Sequence, residues 1–158
     1  VTTPNFPPAL ELLPHDGQMM LIDSVISHTS RRTECLIDVD KSTIFQDADG
    51  SVPSFVALEY MAQSIAAHGG LVDKAADRPT RPGLLLGSRN LRIHVANFAP
   101  HQRLRADVRH RHGEIGLLAF ECALFDEHDA DTALASGTLN VYLLKSFEAL
   151  LQEFDLGK

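Results

Sequence analysis

Cysteine is nearly missing from this sequence. Cys35 and Cys122 are the only two, too few for a disulfide framework or a zinc cluster. Both stand among apolar neighbours in strand-like segments, which reads as buried structural thiols. Long apolar runs are missing too: none exceeds four residues, whereas a membrane-spanning helix needs about 20. The opening VTTPNFPPALELL lacks the basic flank and apolar stretch of a signal peptide, so a soluble, cytoplasmic chain is expected. Positive charge is scarce, with 14 basic against 21 acidic residues and a net charge of −7. That balance repels phosphate backbones and excludes nucleic acid and anionic membranes as expected partners. There is no phosphate loop, no nucleophile elbow, no HExxH pair and no internal repeat, which removes the common nucleotide and zinc assignments. No metal or cofactor is expected.

What is present is one domain's worth of chain. The 158 residues, 44% of them apolar, suffice for a single core over 1–158, and 22% charged residues speak against disorder. Eight histidines supply the side chain most used for proton transfer near neutral pH.

Gly and Pro punctuate the chain without forming a linker. Pro8–Leu13 reads as a short helix, and MMLIDSVISHT (19–29) and TECLIDVD (33–40) as two strands joined by a hairpin around Ser30–Arg32. SFVALEYMAQSIAAH (54–68) has no Gly or Pro, begins after Pro53 in its first turn, and is predicted to stop at Gly69-Gly70. Apolar residues cover most of its circumference, so this helix is expected to be buried. Beyond a loop at 71–82, strands are predicted over 84–95, 103–112, 116–125 and 134–144. The segment 145–158 is predicted to carry a C-terminal amphipathic helix. Strands, one long buried helix, then more strands imply an α+β fold with a curved antiparallel sheet wrapped around the helix.

Glu59 is the first candidate for chemistry. It lies in the helix with the fewest polar positions, four residues before Gln63 and on the same face. A partly desolvated carboxyl group there is suited to protonating a leaving oxygen or orienting water; the plainer reading is a carboxylate reaching solvent at the sheet edge. LPHDG (13–17) offers His15 beside Asp16, a catalytic pair or, more simply, a hydrogen-bonding turn. His68 falls where the helix dipole would favour it as a C-terminal cap. RLRADVRHRH (103–112) reads as a half-solvated strand with a charged outer face, or as a docking face for an acidic carrier protein, joined by Arg78 and Arg81.

Several of these segments resemble the hot-dog (3R)-hydroxyacyl-[acyl carrier protein] dehydratases of fatty acid and polyketide synthesis. LLPHDGQMMLIDSV is similar to that family's opening, VPSFVALEYMAQ (52–63) to its central-helix motif, NFAPHQRLRADV (97–108) to its second turn and strand, and ALASGTLNVYL (133–143) to its closing strand. The spacing of Pro53, Glu59, Ala62 and Gln63 carries the resemblance, and the wording of VPSFVALEYMAQSIAAHGG with LPHDG is most similar to the dehydratase-like proteins of aryl polyene pigment pathways. The resemblance implies a hot-dog fold that dimerises, with a substrate tunnel at the interface for an acyl chain on the phosphopantetheine of acyl carrier protein. It further implies Glu59 as the acid and Phe45, Pro53, Ser54, Phe55 and Gln63 as substrate-binding positions. It departs at two places. Fourteen residues before Glu59, where the family carries its histidine base, this chain has Phe45, and no histidine lies between His28 and His68. Ser54 likewise replaces the family's Gly after the motif proline, where an amide polarises the thioester.

Three readings follow. The chain is a dehydratase-type subunit that takes its base from a His-bearing hot-dog partner; or a thioesterase that uses Glu59 alone; or a non-catalytic acyl-binding or scaffold subunit. A homodimer and a hetero-oligomer with a second hot-dog subunit both remain open.

Overall fold

The fold was obtained as a computed structural model, which describes residues 5–13, 17–114, 116–146, 148–149 and 151–152. In chain order the elements are α1 (Ala9–Leu12), β1 (Ser24–His28), β2 (Arg32–Asp38), β3 (Val52–Pro53), α2 (Ala57–Ala75), β4 (Gly83–Ile93), β5 (Asn97–Phe98), β6 (Arg103–His112), β7 (Leu117–Asp126) and β8 (Asp129–Leu143). Six strands form one antiparallel sheet in the order β1-β2-β6-β7-β8-β4, and β3 pairs with β5 apart from it.

Alternation decides which face of the sheet meets the helix. On β2, Thr33, Cys35 and Ile37 are buried between half-buried neighbours, and on β6 Leu104, Ala106 and Val108 are buried. They close on the buried Tyr60, Met61, Ala67 and Leu71 of α2, which explains why that helix is apolar over most of its surface. Both cysteines are buried free thiols, and desolvation pushes Cys35 up to about 12.

The opposite face carries an ion-pair ladder. Asp107 binds Arg32 at 2.8 Å and Arg109 at 3.0 Å, while Glu34 binds Arg105 at 2.6 Å. Burial alone would raise the Asp107 carboxyl, but the two guanidiniums outweigh it and hold it below the usual range. The basic residues of 103–112 are thus largely engaged by carboxylates of their own sheet.

The long helix differs from the sequence reading at both ends. Pro53 is not in its first turn: it is extended in β3 opposite Asn97, and a 3₁₀ turn at Ser54–Val56 precedes α2. Nor does Gly69-Gly70 stop it, since α2 runs on to Ala75 and ends where Asp77 takes a φ of 53°. Gly70 is there for packing, because a Cβ on it would lie 2.5 Å from the carbonyl oxygen of Leu12. In the tail, residues 148–149 and 151–152 are helical; positions 147, 150 and 153–158 lie outside the described residues, as does His15. No helix among the described residues is long and apolar enough to cross a membrane.

Candidate active site

Glu59 stands in the first turn of α2, half-buried, with its carboxylate oriented from within the helix. Gln63, one turn later and fully buried, donates from Nε2 to Glu59 Oε1 at 2.8 Å. The same amide donates to the carbonyl of Met19 at 2.7 Å and accepts the Leu21 amide at 2.9 Å. A buried side-chain amide with its oxygen and both N–H groups engaged has no freedom to turn. Gln63 therefore fixes Glu59 and ties the segment entering β1 to the helix.

A cavity of about 350 Å³ begins at Glu59 and follows one stripe of α2 through Ala62, Ala66, Gly69 and Val72. These spacings of three and four keep to one face, and their small side chains leave room. A Cβ on Gly69 would meet nothing within 4 Å. Leu118, Phe120 and Val141 of the sheet form the facing wall.

Away from Glu59 the cavity turns polar, with His68, His110, Ser30 and Arg81 in its lining. His68 is not a helix cap: it is internal to α2 and 4% exposed. Its Nδ1 lies 2.8 Å from Thr33 Oγ1, which lies 2.8 Å from His28 Nδ1 on its other side. One hydroxyl carries one proton, so it donates to one ring and accepts from the other. Burial, reinforced by His28 and His110, depresses His68 to about 4, and it is neutral near pH 7. Burial also lowers His28 and His110. Phe120 sits between His68 and His110, with ring centroids 5.5 and 5.3 Å away.

Asp73, near the end of α2, is buried and receives Arg78 at 2.9 Å and Arg81 at 2.7 Å, along with the Arg81 amide. Burial would raise its carboxyl, but these bonds and charges prevail and lower it. Arg78 and Arg81 thus clamp the loop after α2.

Of the other expected site residues, Pro53, Ser54 and Phe55 gather at the amino-terminal approach to α2, and Phe55 is 66% exposed. The Ser54 amide is already committed to the Ala96 carbonyl at 3.1 Å, which leaves it no proton to offer a thioester. Phe45 ends a 3₁₀ turn and packs against the core. These four residues and Gln63 lie outside the cavity lining. The Thr33–His68 network and the Asp73 clamp had no signal in the sequence, because each joins side chains from different elements or from beyond the helix end. Among the described residues no group of acidic, histidine or cysteine side chains could hold a metal ion.

A six-stranded antiparallel sheet wrapped on one long helix, with a carboxylate early in that helix, defines a hot-dog protein. The chain belongs to the ApeP-like family: residues 7–152 match the family described as ApeP dehydratase. No curated protein matches it. Among solved structures it is similar to the dehydratase heterocomplex ApeI:P from Xenorhabdus doucetiae, with 27% identity, 95% of this chain and 99% of that chain covered, and a TM-score of 0.87. The fold is shared more distantly with a hypothetical thioesterase from Streptococcus pneumoniae bound to coenzyme A, at 7% identity, 77% and 84% coverage and a TM-score of 0.58. The PaaI protein of E. coli shares it too, at 8% identity, 78% and 80% coverage and a TM-score of 0.58.

Proposed function

We propose that the chain is the acid-bearing subunit of a hetero-oligomeric dehydratase acting on 3-hydroxyacyl thioesters of acyl carrier protein, in aryl polyene-type synthesis. The observation that carries this reading is a carboxylate held in place by Gln63 in a chain that has Phe45 where the family's base belongs. A histidine of the partner subunit removes the C2 proton, the C3–O bond breaks, and Glu59 gives its proton to the departing hydroxyl. Enoyl thioester and water leave, and the histidine's proton returns to Glu59 through solvent. Two things support a second subunit. The chain resembles, along nearly its whole length, a chain from the structure of a dehydratase heterocomplex. Strand β4 ends the sheet with Leu84, Leu85 and Leu86 exposed, and a long apolar edge strand is a template for pairing with another chain.

The test compares the pure chain with a complex co-expressed with a His-bearing hot-dog partner, on a 3-hydroxyacyl carrier-protein substrate. The complex should dehydrate it and the pure chain should not, and Glu59→Gln in the complex should lower kcat by about 10²–10⁴. Full activity of the pure chain, untouched by Glu59→Gln, would sink the proposal. Release of free acid and thiol would assign a thioesterase instead, and turnover of the complex unchanged by Glu59→Ala a scaffold.

A further inference from the structure

The arginines of β2 and β6 are all held by carboxylates: Arg32 and Arg109 share Asp107, Arg105 takes Glu34, Arg103 takes Glu127 and Arg111 takes Glu121. Arg89 and Arg92 of β4 differ. Both are exposed and, among the described residues, neither has an ion pair or a side-chain hydrogen bond. A β-bulge puts the two on one face. Arg89 pairs with Thr138 and Arg92 with Ser136, so Asn90 and Leu91 together stand against Gly137. Asn90 has a φ of 52°, Leu91 packs against the core, and a Cβ on Gly137 would lie 3.1 Å from the Leu91 Cα. Three residues apart in a regular strand, the two arginines would point to opposite faces. The bulge instead aligns them with Thr138 and Ser136, whose further neighbours Glu121 and Ala123 lie opposite Arg109 and Asp107 of the ion-pair ladder. Glu121, the carboxylate in the Arg89 row, stands two strands away and is bound to Arg111 at 2.8 Å. On its other side the row is open, because β4 is the edge of the sheet.

We propose that Arg89 and Arg92 select the subunit that pairs with β4, and that this subunit carries carboxylates on the outer face of its own edge strand, beside the two guanidiniums. The inference rests on the reading of β4 as the edge that receives a second hot-dog subunit. Two arguments select this occupant. On this face the adjacent strand supplies the counter-charge: Arg32 of β2 reaches Asp107 of β6, and Arg105 of β6 reaches Glu34 of β2. The charges that Arg89 and Arg92 lack belong where the next strand would run. The same two cations also count against a second copy of this chain. Antiparallel pairing of two β4 strands over Gly83–Ile93 has its two-fold axis at Ser88. Arg89 then faces Gly87 of the other copy and stands diagonal to the other Arg89, on one face and within reach of a long side chain. Like charges so placed repel and opposite charges attract, so one pair of residues favours the right partner and disfavours the wrong one.

The experiment measures association, so it does not depend on turnover. The full-length chain and its His-bearing partner are mixed at low and at high salt, and the Kd is read by analytical ultracentrifugation. Arg89→Gln combined with Arg92→Gln should weaken the complex about tenfold at low salt, the effect of two exposed ion pairs, and should flatten its salt dependence. A second measurement needs this chain alone. Arg89→Glu combined with Arg92→Glu, mixed with the unmodified chain, should form a mixed dimer about tenfold more tightly than either chain pairs with itself. Equal thermal melts of the separate chains confirm that association, and not folding, has changed. An unchanged Kd and salt dependence for the Gln variant, or a mixed dimer no tighter than the two self-associations, overturns the proposal. So does a Gln variant that keeps its complex intact and loses affinity for acyl carrier protein, which would assign the two arginines to that acidic partner. A dehydrating complex whose Kd ignores both substitutions rejects this inference alone; a complex weakened as expected that never dehydrates its substrate rejects the proposed function alone.

Discussion

Gln63 holds Glu59 at 2.8 Å while its own amide is locked by the backbone of Met19 and Leu21. The carboxylate's orientation is therefore set by the entry to β1, a segment remote in sequence. Gln63→Leu removes every one of these bonds and orphans a buried backbone amide, so it should destabilise the fold by about 1–3 kcal/mol. A purely structural role would stop there. A positioning role predicts in addition that kcat of the complex falls with little change in KM, and that Gln63→Glu, which keeps an acceptor for Leu21 but has no N–H groups to give Glu59 and Met19, fails to restore it. Denaturant titration and steady-state kinetics separate the two.

Adjacent glycines in α2 should respond in opposite directions. Gly69 has open space around its Cβ position and lies inside a helix, where glycine is less favourable than alanine by about 0.5–1 kcal/mol. Gly69→Ala should raise stability by that amount. Gly70→Ala places a methyl group 2.5 Å from the Leu12 carbonyl oxygen, and forcing α1 away should cost about 1–3 kcal/mol. Thermal melts of the two variants give the sign directly; the same sign for both would mean that α1 does not pack on Gly70.

These glycines also mark where the sequence stopped being readable. The helix was legible from its uninterrupted apolar residues, and the strands from their alternation, because both patterns are local. Its end was not, because a Gly-Gly pair is a stop signal only when nothing packs on it, and here Leu12 does. A cap at His68 follows only from that false end. In the site, the pairing of Glu59 with Gln63 on one face was legible from their spacing in a helix with few polar positions, whereas the partners of Gln63, the Thr33 bridge between two imidazoles and the Asp73 clamp each depend on tertiary neighbours. Phe45 was found only through a resemblance, since periodicity says nothing about a missing base.

Asp73 should matter to the loop after α2 more than to the helix itself. Asp73→Asn keeps a hydrogen-bonding side chain but removes the charge that Arg78 and Arg81 share. With its partners partly exposed, a loss of about 1–2 kcal/mol is expected, below the range for a fully buried pair. Limited proteolysis should detect faster cleavage within 76–82, and the difference in stability from the unmodified protein should vanish at low pH, where the carboxyl group is protonated.

His68 sets the acid limb of stability. Its folded value near 4 lies below the ordinary 6.5, so the unfolded chain binds the proton more readily. The neutral ring's contribution is complete above about pH 6.5 and is lost as pH falls toward 4, at up to ~1.4 kcal/mol per pH unit within that window. His28 and His110, lowered by burial as well, act in the same direction. His68→Gln keeps a hydrogen-bonding partner for Thr33 but does not titrate, so its denaturation midpoint should vary less between pH 6.5 and 4 than that of the unmodified protein. Parallel profiles for the two proteins would show that protonation of His68 does not drive the acid transition, and that the imidazole is accommodated as a cation in the folded state.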